Sequence, residues 1–312
     1  MADKSQHIWF NGKIIPWDDA RVHVMSHIIH YGSGVFEGIK CYNTDSGGAI
    51  FRLDDHINRL FESASVYNME IPFSKQDIIT GCIEVTNENS LSECYIRPIA
   101  FYGYDTLGVH PKDCPVEVAI ASFYWGAYLG DEGILNGVRL TVSPWRKYSY
   151  KSMPSTAKAS GQYMNSLLAV SDARSRGFDE ALLLNEEGNI AEGSGQNIFY
   201  VKDGELFTND EKSSILMGIT RESIIEIASD IGIKTNITEL TLEDTLKADE
   251  AFFSGTASEV TPIKSIDDKS IADGNPGDIT LQLRKMYLDI VQAKNERYNK
   301  WLSFINQHEP HS

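Results

Sequence analysis

At 312 residues the chain exceeds the usual size of one domain, so two lobes with a cleft between them are expected. Apolar residues make up 42% and charged residues 23%, and no apolar run approaches the roughly 20 residues that cross a bilayer, which excludes a membrane-spanning helix. The net charge of −16 argues against nucleic acid and anionic membrane as partners, because both demand clustered Lys and Arg; any anionic ligand must be met by a local positive site.

The opening "MADKSQHIWF" has neither an apolar h-region nor a cleavage site, so a cytoplasmic protein is expected. The apolar runs around Asn11-Gly12 predict a hairpin. In "RLDDHINRLFESASVYNM", Leu53, Ile57, Leu60, Phe61 and Ala64 recur at helical spacing after Asp54, a candidate N-cap. "CYIRPIAFYGYDTLGV" and "EVAIASFYWGAYLG" read as strands from their β-branched and aromatic content. These elements make an α+β first lobe, a small N-terminal domain over residues 1–126, followed by an interdomain loop at 127–137.

A large C-terminal domain is expected over 138–312. It opens with the strand "VRLTVSPW" and continues into "STAKASGQYMNSLLA", where Lys158 stands among small residues. Taken alone, Lys158 reads as a solvated lysine near the start of a helix through Met164, Leu167, Leu168 and Ala169. Strands punctuated by Glu187-Gly188 and Asp203-Gly204 follow. Then comes "GITRESIIEIASDIG", a helix with Thr220 as candidate N-cap and Ile224, Ala228 and Ile231 on one stripe. "EAFFSGTASEVTPIKSI" reads as strand, glycine turn and strand, and one long helix from about Ile279 to Ile305 closes the chain.

The familiar signatures are missing. "EGSGQN" lacks the strand-to-helix setting of a nucleophile elbow, no Walker or Rossmann glycine pattern is present, and the eight histidines show no H-E-x-x-H spacing. Cys41, Cys82, Cys94 and Cys114 lie far apart with no C-x-x-C, which favours buried or partly buried thiols over a zinc site or a disulfide framework. What remains is a scatter of unusual residues. Lys158 is followed five residues later by Tyr163, Glu192 and Asn197 lie in a glycine turn, Gly218, Ile219 and Thr220 open a helix, and Gly255 and Thr256 form a second small turn. A helix N-terminus and a glycine turn, with free N–H groups and threonine hydroxyls, suit a phosphate, and Arg59 adds a forked cation.

The order "AKASGQYMNSLLA", "EGSGQNIF", "GITRE", "SGTASEVTPI" closely resembles the second lobe of the branched-chain amino acid aminotransferases. These belong to the pyridoxal-phosphate enzymes of fold type IV, a group that also holds D-amino acid aminotransferases, aminodeoxychorismate lyases and R-selective amine transaminases. The likeness runs from "IWFNGK" to about Ile263. It implies an α+β, two-domain fold: a smaller N-terminal α/β lobe and a larger C-terminal lobe on a β-barrel-like core, with pyridoxal 5′-phosphate in the cleft.

By the same resemblance Lys158 is the lysine that carries the cofactor and moves the proton between the substrate α-carbon and the cofactor C4′. Small neighbours leave room for the ring, and partial burial favours the neutral amine. Tyr163 is implied as the partner of the cofactor's phenolic oxygen and Glu192 as that of its ring nitrogen, while Leu216 packs on the ring. Arg59, Gly218, Ile219, Thr220 and Thr256 form the phosphate site.

The first lobe adds the specificity set. Residues two apart share a strand face, so Phe36, Gly38 and Lys40 line one wall and Tyr95 and Arg97 another. The resemblance makes these aromatic walls a pocket for a branched aliphatic side chain. Tyr31, Arg97 and Tyr128 would then take the distal carboxylate of glutamate, with Val109 and Tyr128 contributed across a dimer interface. The substrate α-carboxylate is expected at Tyr95 and the backbone of Thr256 and Ala257. Lys40 stands where many members have Arg, which removes a fork but keeps the charge, and Met217 stands where proline is common.

The function implied is transfer of the amino group of L-leucine, L-isoleucine or L-valine to 2-oxoglutarate, by a homodimer or homohexamer with no metal. A D-amino acid or R-amine transaminase, or an aminodeoxychorismate lyase on the same fold, is the alternative; Tyr95 with Arg97 argues against the first two. A binding or regulatory protein that has kept the scaffold and lost turnover is disfavoured by the intact Lys158, Glu192 and Arg59.

Overall fold

Asn11 and Gly12 form the two-residue turn of a hairpin between β1 (His7–Phe10) and β2 (Lys13–Pro16), as the Asn-Gly signal predicts. The computed structural model describes residues 4–126 and 129–305. The chain divides into two units: one runs to Gly126 and recruits Ala157–Gln162 and the chain from Asp289 onward, and the other holds Ala127–Thr156 and Tyr163–Leu288.

The first unit continues through α1 (His27–Tyr31), β3 (Gly34–Phe36), β4 (Ile39–Thr44), β5 (Gly47–Phe51), α2 (Leu53–Val66), α3 (Lys75–Glu88), β6 (Cys94–Tyr102) and β7 (Val116–Phe123). Its sheet runs Leu302–Phe304, β5, β4, β6, β7, β1, β2, with β3 also paired to β6, and all its pairings are antiparallel. The helical stripe Leu53, Ile57, Leu60 and Ala64 of α2 is fully buried, and α3 adds Ile78, Cys82 and Val85. Together with Trp9, Ile96, Val118 and Ile120 of the sheet they form one apolar core. Helix α3 starts at a capping box in which Ser74 and Asp77 exchange hydrogen bonds.

The pairing of β3 and β4 with β6 positions the site. Phe36 faces Ile99, and beyond the break at Glu37-Gly38 the register resumes without a slip, Ile39 opposite Ile96 and Lys40 opposite Tyr95. Directly opposed residues share a face, so Phe36, Gly38, Lys40, Tyr95 and Arg97 lie on one side of the sheet and Glu37 on the other.

The second unit contains α4 (Gly130–Asn136), β8 (Val138–Val142), α5 (Tyr163–Ser175), β9 (Glu180–Leu184), β10 (Ile190–Gly193), β11 (Asn197–Lys202), β12 (Glu205–Thr208), α6 (Ile219–Asp230), β13 (Thr235–Ile237), α7 (Leu242–Leu246), β14 (Glu250–Gly255), β15 (Glu259–Ile266), β16 (Lys269–Ser270) and most of α8 (Asp278–Val291). Its sheet runs β10, β9, β8, β15, β14, β11, β12, β13, with β16 paired to β15. Strand β8 is parallel to both neighbours and β12 is parallel to β13, while the other pairs are antiparallel. Leu140, Leu182, Ile198 and Phe253 lie at its core, and Ala169 and Ala173 of α5 pack with Ala181 and Leu183 of β9. Both units are α+β, and among the described residues no helix is long and apolar enough to cross a membrane.

Three local expectations need correction. Asp54 is not the cap of α2; Arg52 is, in a left-handed conformation with its Nε donating to Asp55 at 2.5 Å, and Asp54 falls in the first turn. Thr220 lies inside α6, which Gly218 caps. The C-terminal helix stops at Val291, where Ala293 turns left-handed and the Lys294 N–H reaches the Asp289 carbonyl at 2.8 Å. Asn295 then caps a short 3-10 helix, Glu296–Trp301. All four cysteines are buried and unbridged.

Candidate active site

Lys158 sits five residues before α5 begins, between a turn at 155–157 and the 3-10 helix Ser160–Gln162, and is held by backbone hydrogen bonds within the first unit. Its N–H donates to the Ser63 hydroxyl of α2 at 3.0 Å, and its carbonyl accepts from the Phe36 N–H at 3.0 Å. Ala159 forms a bridge with Val35, and the Gly161 N–H donates to the Gly32 carbonyl at 3.0 Å. The solvated-lysine reading fails because this backbone pairing delivers the side chain to the sheet: Nζ lies 4.9 Å from the centre of the Phe36 ring. The residue as a whole is half-buried. Burial pulls its pKa from 10.5 down to about 8, against the attraction of Glu37 and with the help of the Arg59 charge.

Around Phe36 the shared face of β3, β4 and β6 is assembled as the alternation predicts, though as one face rather than two walls. The Arg97 guanidinium stacks 4.8 Å from the Phe36 ring and 5.2 Å from the Tyr95 ring, and its Nη2 donates to the Tyr95 hydroxyl at 3.4 Å. Among the described residues Arg97 Nε is buried without an acceptor, a donor left over for a ligand. Gly38 is required by close approach: a Cβ there would fall 1.8 Å from the Tyr95 hydroxyl oxygen. Lys40 places its ammonium 4.8 Å from the Tyr42 ring. The Tyr31 hydroxyl donates to the Leu107 carbonyl at 2.7 Å, and His27 binds the Gly108 carbonyl at 2.9 Å, so Tyr31 and the Leu107–Val109 turn are tied together; Val109 is 79% exposed. Tyr128 lies outside the described residues.

On the opposite face a polar cluster appears that the sequence reading missed. Arg59 donates through Nε and Nη2 to the two oxygens of Glu37 at 2.6 and 2.8 Å, and His56 Nδ1 donates to the same carboxylate at 2.7 Å. Glu37 is fully buried. Burial alone would raise its carboxyl pKa, but the Arg59 charge and the hydrogen bonds from Arg59 and His56 hold it well below the usual range. Burial lowers the His56 pKa despite the carboxylate beside it, so the neutral tautomer with the proton on Nδ1 fits this geometry. The available signal was a lone acid, Glu37, between strand-forming residues, with His56 and Arg59 one helical turn apart.

In the second unit Glu192 lies on β10 rather than in a turn, with Asn197 opening β11. Its Oε2 accepts from the Leu216 N–H at 3.1 Å and the Asn197 amide at 3.2 Å; Asn197 also donates to the Leu216 carbonyl at 2.8 Å. Oε1 accepts from Lys147 Nζ at 2.6 Å, a partner the sequence reading also missed. Gly218 follows Leu216 and Met217 and caps α6 without a side chain, so the first-turn N–H groups around Ile219 and Thr220 have no side-chain cap. A Cβ at Gly218 would lie 2.0 Å from Asn197 Oδ1, so any larger residue there would displace the Asn197 amide. Thr256 and Ala257 occupy the turn between β14 and β15, flanked by Ser254 and Ser258, whose buried hydroxyls have no partner among the described residues. Tyr163 is the first residue of α5.

Residues 34–266 match the model of the amino-transferase class IV family. The chain belongs to that family. It is 43% identical to the branched-chain-amino-acid aminotransferase of Pseudomonas aeruginosa PAO1 over 98% of this chain and 99% of that one. It is similar to the T.th. branched-chain amino acid aminotransferase solved with pyridoxamine 5′-phosphate, at 45% identity, 97% and 99% coverage and a TM-score of 0.94. The same T.th. protein complexed with N-(5′-phosphopyridoxyl)-L-glutamate matches at 43% identity, with the same coverage and a TM-score of 0.92. The fold is therefore the fold type IV that the four motifs imply.

Proposed function

We propose that this class IV aminotransferase moves the amino group of L-leucine, L-isoleucine or L-valine to 2-oxoglutarate, using pyridoxal 5′-phosphate, in two alternating half-reactions. The observation that carries the reading is Lys158, an amine drawn down to about 8 and seated by Phe36, in a chain whose full-length relatives bear the branched-chain name. Those relatives favour this reading over the D-amino acid, R-amine and lyase alternatives.

The residues fit the cofactor. N–H groups at Ile219 and Thr220 without a side-chain cap, the turn at Thr256 with serine hydroxyls unpartnered among the described residues, and the Arg59 guanidinium suit a phosphate. Glu192 suits a ring N–H, Tyr163 a phenolic oxygen and Leu216 a ring face. When bound, pyridoxal phosphate supplies an electron-withdrawing ring that stabilises the carbanion left by the departing α-proton. Lys158, partly neutral near pH 8, would hold the cofactor and, once freed from it, would carry the proton from the substrate α-carbon to the cofactor C4′.

Phe36 and Tyr95 pack on the branched side chain, and Gly38 leaves Tyr95 room to do so. Tyr95 and the Thr256 and Ala257 backbone receive the α-carboxylate. Arg97, with its spare Nε donor and joined by Tyr31 and Tyr128, binds the distal carboxylate when 2-oxoglutarate replaces the aliphatic substrate. Lys40 adds positive charge on the same face. In this reading the enzyme is cytoplasmic and at least dimeric, as a homodimer or a homohexamer, with exposed Val109 serving a partner's pocket.

The test is a spectral titration. Purified protein with pyridoxal phosphate should develop a band near the visible edge that L-leucine bleaches and 2-oxoglutarate restores. No bleaching by any branched-chain amino acid would sink the substrate assignment, and an unaltered spectrum in Lys158→Ala would sink the lysine assignment.

A further inference from the structure

The pair formed by Lys147 and Glu192 is buried on both sides, each side chain being only 7% exposed, with Nζ 2.6 Å from Oε1. Lys147 is delivered by the loop after β8, and its own N–H donates to the Leu184 carbonyl at the end of β9 at 2.8 Å. Its ammonium also lies 4.7 Å from the Tyr148 ring. Among the described residues Glu192 therefore has a full charge on one oxygen and neutral donors, the Leu216 N–H and the Asn197 amide, on the other.

A buried carboxylate without a cation tends to take up a proton, because burial disfavours its charged form. An arriving cationic ring N–H needs that carboxylate already charged and held in one rotamer. We propose that Lys147 is a positioning residue that keeps Glu192 ionised and oriented before the cofactor binds. The inference rests on the reading of Glu192 as the partner of the cofactor's ring nitrogen. Once that nitrogen is in place it supplies a second positive charge, so Lys147 is needed most by the empty enzyme. Charge at position 147 is what matters, and Arg can replace Lys there, although its fork changes the hydrogen-bond geometry.

The test uses the full chain, empty and then loaded, in the variants Lys147→Gln, Lys147→Met and Lys147→Arg. Difference infrared spectroscopy of the empty protein at neutral pH should show the carbonyl stretch of a protonated carboxylic acid in Lys147→Gln. The band should be absent from the wild type, from Lys147→Arg and from the double variant Lys147→Gln/Glu192→Gln, which assigns it to Glu192. Lys147→Met repeats the measurement should Lys147→Gln not fold. Addition of pyridoxal phosphate should abolish the band, and the dissociation constant of the cofactor should rise about 10- to 100-fold in Lys147→Gln, the range seen when a supporting hydrogen-bond partner of a ligand-holding group is lost. A merely structural lysine would change stability without producing an acid band, and that outcome overturns the proposal. If the band forms but persists after the cofactor is added, Lys147 keeps its role and the assignment of Glu192 to the ring nitrogen fails instead.

Discussion

Glu37 grips Arg59 through both of its carboxylate oxygens, at 2.6 and 2.8 Å, while His56 binds one of the same oxygens from one turn earlier on α2. Removing the charge from one side leaves the other buried without its counterion. Glu37→Gln is therefore expected to cost roughly 3–5 kcal/mol in urea unfolding at pH 7. The pH dependence has a definite sign. Because the folded Glu37 carboxyl sits well below its ordinary 4.5, its contribution is complete above about pH 4.5 and fades as the pH falls further. The gap between wild type and variant should narrow in acid, and a gap that stays constant down to pH 3 would contradict the assignment.

Lys158 titrates in the opposite sense. Its pKa is about 8 in the folded chain against 10.5 in water, so the folded state holds fewer protons than the unfolded one between those values. Wild-type apo-protein should gain stability relative to Lys158→Met as the pH rises from 8 to 10.5, and show no such trend below 8. The rate at which a neutral-amine reagent labels Lys158 should inflect near 8; an inflection near 10.5 would show that the amine is not enclosed.

A methyl group at position 38 has nowhere to go, because it would lie 1.8 Å from the Tyr95 hydroxyl oxygen. Gly38→Ala should displace Tyr95 and, at about 1–3 kcal/mol for overpacking, raise KM for L-leucine by roughly one to two orders of magnitude. Cofactor affinity, which depends on residues elsewhere, should be unchanged. Equal loss of both would place Gly38 outside the substrate wall.

Gly218→Ala should do the reverse. Its Cβ would strike Asn197 Oδ1 at 2.0 Å, disturb the amide that holds Glu192 and Leu216, and shift the start of α6. Pyridoxal phosphate binding, followed by fluorescence titration, is expected to weaken about 10- to 100-fold from the same overpacking cost. An unchanged affinity would remove the α6 N-terminus from the phosphate site.

Much of the frame was legible because period reports burial. The stripe Leu53, Ile57, Leu60 and Ala64 and the Asn11-Gly12 turn came directly from spacing and turn chemistry. The common face of Phe36, Lys40, Tyr95 and Arg97 followed from alternation, but its being one face depended on a β3–β4–β6 register that no local pattern encodes. The end of α8 was hidden because Ala293, a good helix former, takes a left-handed conformation that tertiary context enforces. Glu37, His56 and Lys147 were missed for one reason: charged residues are read as solvated by default, and only long-range partners reveal them as buried pairs.

The six residues Ala157–Gln162 belong to the first unit, although the chain on both sides of them belongs to the second. The two units are therefore not interchangeable cassettes. A gene divided after Gly126 would give a first half lacking its own lysine, and a second half carrying a lysine with no Phe36 or Ser63 to hold it. Recombination between relatives can exchange this segment cleanly only together with the β3 and α2 residues that grip its backbone, so Lys158 and the strand and helix that seat it are expected to be inherited as one piece.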